Sequence, residues 1–457
     1  MNKYVLLSYK NYLIIFLLCL IFPLLITRYT LVLSLIVVGI GGMLVIRRKS
    51  LGYFLFIALF SCIPSQFGGD ANISTFNIVN RYCEYFPILL SLLYIPFVKK
   101  SGFLRNELSL FFLLVILCIF WYIYTLNEGE LIILLKYGLF LSILILFYHS
   151  STRRQEFYLM FDAVALVAGV YMAIEFFLRF NPYQDFINYG SEGIDEFDVA
   201  KAFRPNGILC NPLTTSIVFL MELNFLFVRY LEKKKMNYLM LFLTFVFCLL
   251  CVSRTAILGA IIITLTSFYL RSKTTKKIPW KLYTSIILGT ALVVSVFGIA
   301  LDYLMLRFSD GGLDVGITSR MSNYTSVFNL LCDHPFGVGS TNLIDIIEKR
   351  YAGAGWIPGF KTLDNFFLTY FGEYGLLSII PFLFFFYWFI YARKRKTNIV
   401  SYYQAILLLI TFFFVSFSYN WETYNFILAS LGGIIGVVIR DLNNKEIDES
   451  LSCNSNI

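Results

Sequence analysis

Residues 237–270 read NYLMLFLTFVFCLLCVSRTAILGAIIITLTSFYL, a stretch of 34 residues that is mostly apolar. As one helix, rising about 1.5 Å per residue, it would reach roughly 51 Å. The hydrocarbon core of a bilayer is only about 30 Å thick. Lys233, Lys234 and Lys235 precede the stretch, and Arg271, Lys273, Lys276 and Lys277 follow it. Connections rich in Lys and Arg stay in the cytoplasm, so both ends belong on one side of a membrane. The stretch therefore folds as a tight helical hairpin that turns at Val252-Ser253-Arg254-Thr255. Each arm is slightly short for a span, which holds Arg254 at or below the outer headgroup level.

The whole chain has the same character. Its 457 residues are 58% hydrophobic and only 14% charged, with a mean hydropathy of +0.74. Soluble domains carry about 25% charged residues, and no soluble fold of this composition hides its apolar surface. Phe and Tyr number 48 and 31, with some Tyr near the ends of apolar runs, where it suits the headgroup region. The net charge of +9 comes from short basic clusters between apolar runs, such as Arg47-Arg48-Lys49, Lys99-Lys100, Arg153-Arg154 and Arg393 to Lys396. That distribution orients a membrane protein and gives no support to nucleic-acid binding. The nine cysteines lack metal-ligand spacing. Cys19, Cys62, Cys118 and Cys248 sit in apolar runs as small hydrophobes, while Cys210 and Cys332 lie near outer loops as a candidate pair. The first apolar run follows Lys3 and Lys10 without a small-residue cleavage site, and reads as an uncleaved span.

A helical span needs about 20 apolar residues. Runs at 12–28, 30–46, 51–66, 82–98, 108–126, 131–149, 157–178, 208–229, 237–252, 255–270, 281–301, 363–391, 399–418 and 423–440 give fourteen. Every second connection is basic, beginning with the N-terminus, and Lys and Arg favour those connections by about two to one. The expectation is an all-α integral membrane protein. Residues 1–440 form one polytopic bundle of about fourteen transmembrane helices with a large structured periplasmic loop, and 441–457 form a cytoplasmic tail. Both termini are cytoplasmic.

The outer connections are 179–207, rich in Asp and Glu, and 302–362, the longest in the chain. Loops of that length are uncommon and usually functional or disordered. From Arg320 the second one predicts an amphipathic helix capped by Ser319, with Met321, Tyr324, Phe328 and Leu331 on one face. Pro335 stops it, Gly337 and Gly339 turn the chain, and 342–350 predicts another short helix.

Charge near the outer face of a bundle calls for a reason, because a charged side chain at the bilayer centre costs about 2.5–3.5 kcal/mol on insertion scales. Arg204, Arg254, Arg307 and Arg320 all fall on that side. Guanidinium offers a planar fork of donors that matches phosphate oxygens. The plainer alternatives are snorkelling and pairing with Asp302, Asp310 or Asp314. That alternative suits Arg307, whereas the hairpin leaves Arg254 nowhere to snorkel. His334 is a base by residue type, or a hydrogen-bonded structural residue. Asp364-Asn365 supplies a carboxylate, or an N-cap for a helix beginning at Phe366. Glu373 reads as a buried hydrogen-bonding group. Asp162, Glu175 and Glu222 are intramembrane acids without basic partners nearby in sequence. No phosphate-binding Gly loop, metal-ligand cluster or Ser/His/Asp arrangement is visible.

Four stretches together carry a family resemblance: Arg204-Pro205-Asn206-Gly207 through Asn211-Pro212; Ser253-Arg254-Thr255-Ala256; Asp333-His334-Pro335-Phe336-Gly337-Val338-Gly339; and Asp364-Asn365-Phe366-Phe367-Leu368 through Glu373-Tyr374-Gly375-Leu376-Leu377. In this order, over about 200–380, they resemble the bacterial O-antigen polymerase and O-antigen ligase superfamily. The resemblance implies an inverting glycosyltransferase without metal or other cofactor. It would use undecaprenyl-diphosphate-linked oligosaccharide at the outer face of the bacterial inner membrane. A chain-length regulator is a partner implied by the family. The ligases have a His-Asn pair where this chain has Asp364-Asn365, a departure that argues against a ligase and leaves the base assignment open; the reading taken is a polymerase of repeat units.

On that reading Arg204, Arg254 and Arg320 bind the donor diphosphate. Asp364 or His334 takes the proton of the attacking hydroxyl, and Asn211 and Asn365 also hold substrate. The rivals are a ligase that transfers polymer to lipid A core and, in another class, a flippase for lipid-linked oligosaccharide. Against the flippase, the sequence shows no internal repeat and its charged motifs cluster on one face.

Overall fold

The computed structural model describes residues 101–150, 152–178, 205, 207, 212–232, 237–251, 253–274, 312–353, 356, 363, 365–395 and 398–443, with positions 88 and 92. The runs at 12–28, 30–46, 51–66, 82–98 and 281–301 lie outside the described residues, save for those two positions. Each of the other apolar runs is helical over most of its described residues. In chain order the helices are α1 (Gly102–Thr125), α2 (Gly129–His149), α3 (Arg154–Leu178), α4 (Pro212–Leu231), α5 (Tyr238–Leu250), α6 (Arg254–Thr274), α7 (Gly312–Asp333) and α8 (Leu343–Ile346). They continue as α9 (Phe366–Tyr374), α10 (Ile379–Lys394), α11 (Ile399–Ser416) and α12 (Asn425–Asn443). Among the described residues, eight helical segments are long and apolar enough to cross a membrane, α9 and α10 counting as one; α5 is shorter.

Several helices begin at a side chain that satisfies the first free amides, which lipid cannot do. Ser101 caps α1, Asn237 caps α5, Asn365 caps α9 and Asn398 caps α11, each accepting from the backbone N–H three residues on. The tightest helix pair is α2 with α12. A Cβ on Gly432 would lie 2.7 Å from the Phe140 carbonyl oxygen, and one on Gly436 would lie 2.4 Å from that of Leu144. Two small residues four apart let the two backbones touch, the usual solution for helices packed in lipid.

Alternation of helix direction sorts the connections. One end of the bundle carries Arg153, Arg154, Arg271 and Arg393 to Arg395; the other carries the 251–253 turn, the 334–342 segment and the 417–424 segment. At the basic end, ion pairs tie α3, α4 and α12 together. Arg154 pairs with Glu232 at 3.6 Å and Asp441 at 3.2 Å, and Arg440 donates to the Ser150 carbonyl at 2.8 Å. Arg229 grips Asp162 with both guanidinium nitrogens, one at 2.8 Å, and lies 3.8 Å from Glu222. Two of the intramembrane acids that lack a basic partner in sequence therefore share one in space, contributed from the far turn of α4. Glu175 instead accepts the Gly207 N–H at 2.8 Å, pinning Gly207 to α3.

The hairpin of 237–270 is present, with arms of unequal length. Thirteen residues of α5 rise about 20 Å, while the 21 of α6 rise about 30 Å. The second arm outruns the apolar stretch because Arg271 lies over the Tyr230 ring, 4.8 Å from its centroid, and donates to that residue's carbonyl at 3.4 Å.

The loop helix also departs from expectation. It starts at Gly312, so Ser319 lies inside it and not at its N-terminus. Val327 and Leu330 form its buried side, with Ser322, Asn323 and Ser326, whereas Met321, Tyr324 and Phe328 are exposed. Small polar residues let α7 lie close to its neighbours, and the bulkier face is turned outward. Cys332 is an exposed free thiol, and Cys210 lies outside the described residues.

Candidate functional site

At the end opposite the basic connections, α7 stops where Pro335 removes a backbone donor. The chain then clasps the middle of the α9–α10 span. Val338 N–H donates to the Gly372 carbonyl at 3.2 Å, Gly339 N–H to that of Glu373 at 2.9 Å, and Leu376 N–H to that of Pro335 at 3.0 Å. Gly337, Gly339 and Gly375 all have positive φ, at 84°, 82° and 53°. The span breaks at Gly375, where a short 3-10 turn, Gly375–Ser378, precedes α10. Glu130 of α2 holds the clasp from below, accepting from Ser340 Oγ at 2.8 Å, Thr341 N–H at 3.1 Å and Thr341 Oγ1 at 2.9 Å.

Asn365 is the hub between α7, α9 and α11. Its Oδ1 accepts from Leu368 N–H at 3.0 Å, while Nδ2 donates to Tyr324 OH at 2.9 Å and the Phe417 carbonyl at 3.1 Å. Both halves of the amide are engaged in structure. This contact sets Arg320, exposed and one turn before Tyr324, at the side of the α9 N-terminus. Arg254 begins α6, half-buried, at the same end of the bundle; α6 packs on α4 and on α11, whose last turn leads to Phe417. His334 lies fourteen residues beyond Arg320, about 20 Å along the α7 axis. Its ring meets the edge of Tyr351, with centroids 6.5 Å apart, and Tyr351 OH donates to Asp333 at 2.7 Å. The structure thus brings Tyr324, one turn after Arg320, to Asn365, while His334 follows the far end of α7. Arg204, Asn211 and Asp364 lie outside the described residues.

Beside the clasp is a cavity of about 130 Å³ among α2, α8, α9 and the 3-10 turn Trp421–Thr423. Lys136 and Tyr137 line one wall, Tyr370 and Glu373 a second, and Asn420 and Glu422 a third. Trp421 packs the turn in place by stacking on Phe366 with centroids 5.2 Å apart. Sequence reasoning overlooked Lys136, Asn420 and Glu422. The signal was present for Lys136, the one Lys, Arg, Asp or Glu in the apolar run 131–149, because an ionisable residue inside a membrane is a functional candidate by default. For Glu422, which falls in a short connection, nothing local marked it.

Burial pushes the Glu422 carboxyl up to about 7, with Lys136 and its own backbone amide pulling the other way. A carboxyl raised above its ordinary range contributes stability fully below about pH 4.5 and loses it as pH rises through 7. The amount is about 3 kcal/mol. Unfolding midpoints in detergent should fall between pH 5 and 8, with Lys136 and Glu373 facing the group. Glu422→Gln should flatten that slope, and an unchanged slope would disprove the assignment.

A family model described as O-antigen ligase matches residues 239–383, about a third of the chain. The match takes in Arg254, Arg320, His334, Asn365 and the clasp, and supports a membrane enzyme of the O-antigen ligase and polymerase type. No curated protein matches the chain. The cavity straddles the matched segment, since Lys136, Asn420 and Glu422 fall outside it.

Proposed function

We propose that this chain polymerises oligosaccharide repeat units carried on undecaprenyl diphosphate, at the outer face of the bacterial inner membrane. The observation that carries the reading is placement. Arg254, Arg320 and the Asn365 cap stand at the bundle end opposite the basic connections, inside the segment that matches the family model. A sugar hydroxyl of the acceptor attacks the anomeric carbon of the donor. The bond from that carbon to the phosphate oxygen breaks, and the electron pair leaves with the diphosphate. Arg254 and Arg320, with Arg204, neutralise the growing charge. Charge-assisted hydrogen bonds contribute about 1.5–3 kcal/mol each, so together they supply several kcal/mol of transition-state stabilisation. Asp364, next in chain to the Asn365 cap, takes the proton in this reading. His334, displaced along α7, serves the loop.

Transfer of finished polymer to lipid A core is the second reading, favoured by the description of the matching family. Deletion of the gene separates them. A strain lacking a polymerase still attaches single repeat units to the surface acceptor and loses the ladder of longer chains; a strain lacking a ligase attaches none. Lipid-linked units reaching the outer leaflet in the deletion strain exclude a flippase.

A further inference from the structure

The cavity beside the clasp differs from the arginine site in what its atoms still need. Most hydrogen-bond donors at its wall are already committed. Thr369 Oγ1 donates to the Asn365 carbonyl at 2.9 Å, Thr423 Oγ1 to that of Asn420 at 2.8 Å, and Ser340 Oγ to Glu130 at 2.8 Å. Asn420 Nδ2 donates to Thr369 Oγ1 at 2.8 Å, and Tyr137 OH to Tyr370 OH at 3.1 Å. Lys136 Nζ and the Tyr370 hydroxyl hydrogen remain as donors, and two buried acceptors remain beside them. Asn420 Oδ1 and Glu422 Oε2 are buried with no hydrogen-bond partner, on residues only 5% and 6% exposed. Unsatisfied buried acceptors are costly and point to an occupant that donates. Lys136 in the same wall offsets part of the carboxylate charge, and no cluster of His, Cys, Asp or Glu suited to a metal ion occurs among the described residues. The aromatic surfaces of Tyr137, Tyr370 and Phe385 complete the lining. Hydrogen-bond acceptors beside flat apolar walls match a sugar residue, which has hydroxyl edges and C–H faces.

We propose that this cavity is a carbohydrate subsite that seats one sugar residue of the oligosaccharide, with Asn420 and Glu422 accepting from its hydroxyls. The proposal rests on the reading that the substrate is a lipid-linked glycan. It adds a determinant of which sugar is accepted, half of whose lining residues lie outside the family match.

The test uses full-length protein in nanodiscs and, as probe, the repeat-unit oligosaccharide released from lipid-linked material of a strain lacking this chain. Trp421 lies between Asn420 and Glu422 in the chain and reports occupancy by its fluorescence. The wild type is expected to show a saturable change that Trp421→Phe lacks. Glu422→Leu and Asn420→Ala should weaken binding roughly ten- to hundredfold. Glu422→Gln and Asn420→Asp keep side-chain shape, so a loss there is not a folding defect. Binding unchanged in all four variants overturns the subsite, as does a wild type that polymerises in cells yet ignores the oligosaccharide. The same fluorescence change with sodium or ammonium chloride alone also overturns it, in favour of a cation site. If the wild type binds and the variants do not, while the deletion strain keeps its polymer ladder, the subsite stands and the polymerase reading falls.

Discussion

Gly375→Ala should be the most damaging small substitution in the described structure, costing about 2–5 kcal/mol. The residue sits at φ 53° and ψ −129°, a conformation that L side chains rarely adopt. A Cβ there would also lie 2.1 Å from the Pro335 carbonyl oxygen and 2.7 Å from the Gly337 nitrogen. Those are backbone atoms held by the clasp, so they have little room to yield. Relief requires the 335–339 segment to lift from 372–376, breaking the hydrogen bond from Leu376 N–H to the Pro335 carbonyl and opening the floor over Glu130. The expected results are a lower unfolding midpoint in detergent and loss of surface polymer. Gly102→Ala is the control, since a Cβ there meets nothing within 4 Å. Equal midpoints for the two variants would refute the clasp.

Arg254→Ala is expected to cut polymer beyond single repeat units severely while leaving the protein folded and in the membrane. The residue opens α6 at the hairpin turn, half-buried, where its charge is tied to the depth that the short α5 arm allows. Removing one charge-assisted contact to a diphosphate costs about 1.5–3 kcal/mol, or roughly ten- to a hundredfold in rate. Arg254→Lys keeps the charge and loses the planar fork, so it should retain shortened or sparse polymer. Gel analysis of surface glycan, with the protein level in membranes as reference, reads both variants. A normal ladder from Arg254→Ala would remove the arginine site from the mechanism.

The two experiments ask separate questions, because Gly375 carries no chemistry and Arg254 lies outside the clasp. Loss of polymer with normal stability points to the site. Loss of both points to the scaffold that presents it.

The hairpin, the alternation of apolar runs with basic connections and the stop at Pro335 were all legible in the amino-acid sequence. Each depends on terms that act locally: segment length against bilayer thickness, charge beside a span, a missing amide hydrogen. The Asn365 cap was legible for the same reason, since its partner N–H lies three residues away. Side-chain partners from distant segments were not. Arg229 meeting Asp162 across 67 positions, Glu130 meeting Ser340 and Thr341, and the convergence of Lys136, Glu373 and Glu422 on one cavity all depend on how helices pack. The outward turn of Met321, Tyr324 and Phe328 was decided in the same way. An apolar stripe does not by itself specify which side of a helix is buried; close approach to neighbours and satisfaction of polar groups do. Sequence alone therefore determined a membrane bundle and the end of it that carries the candidate chemistry. Tertiary structure decided which buried acids have partners and which buried acceptors still face a cavity.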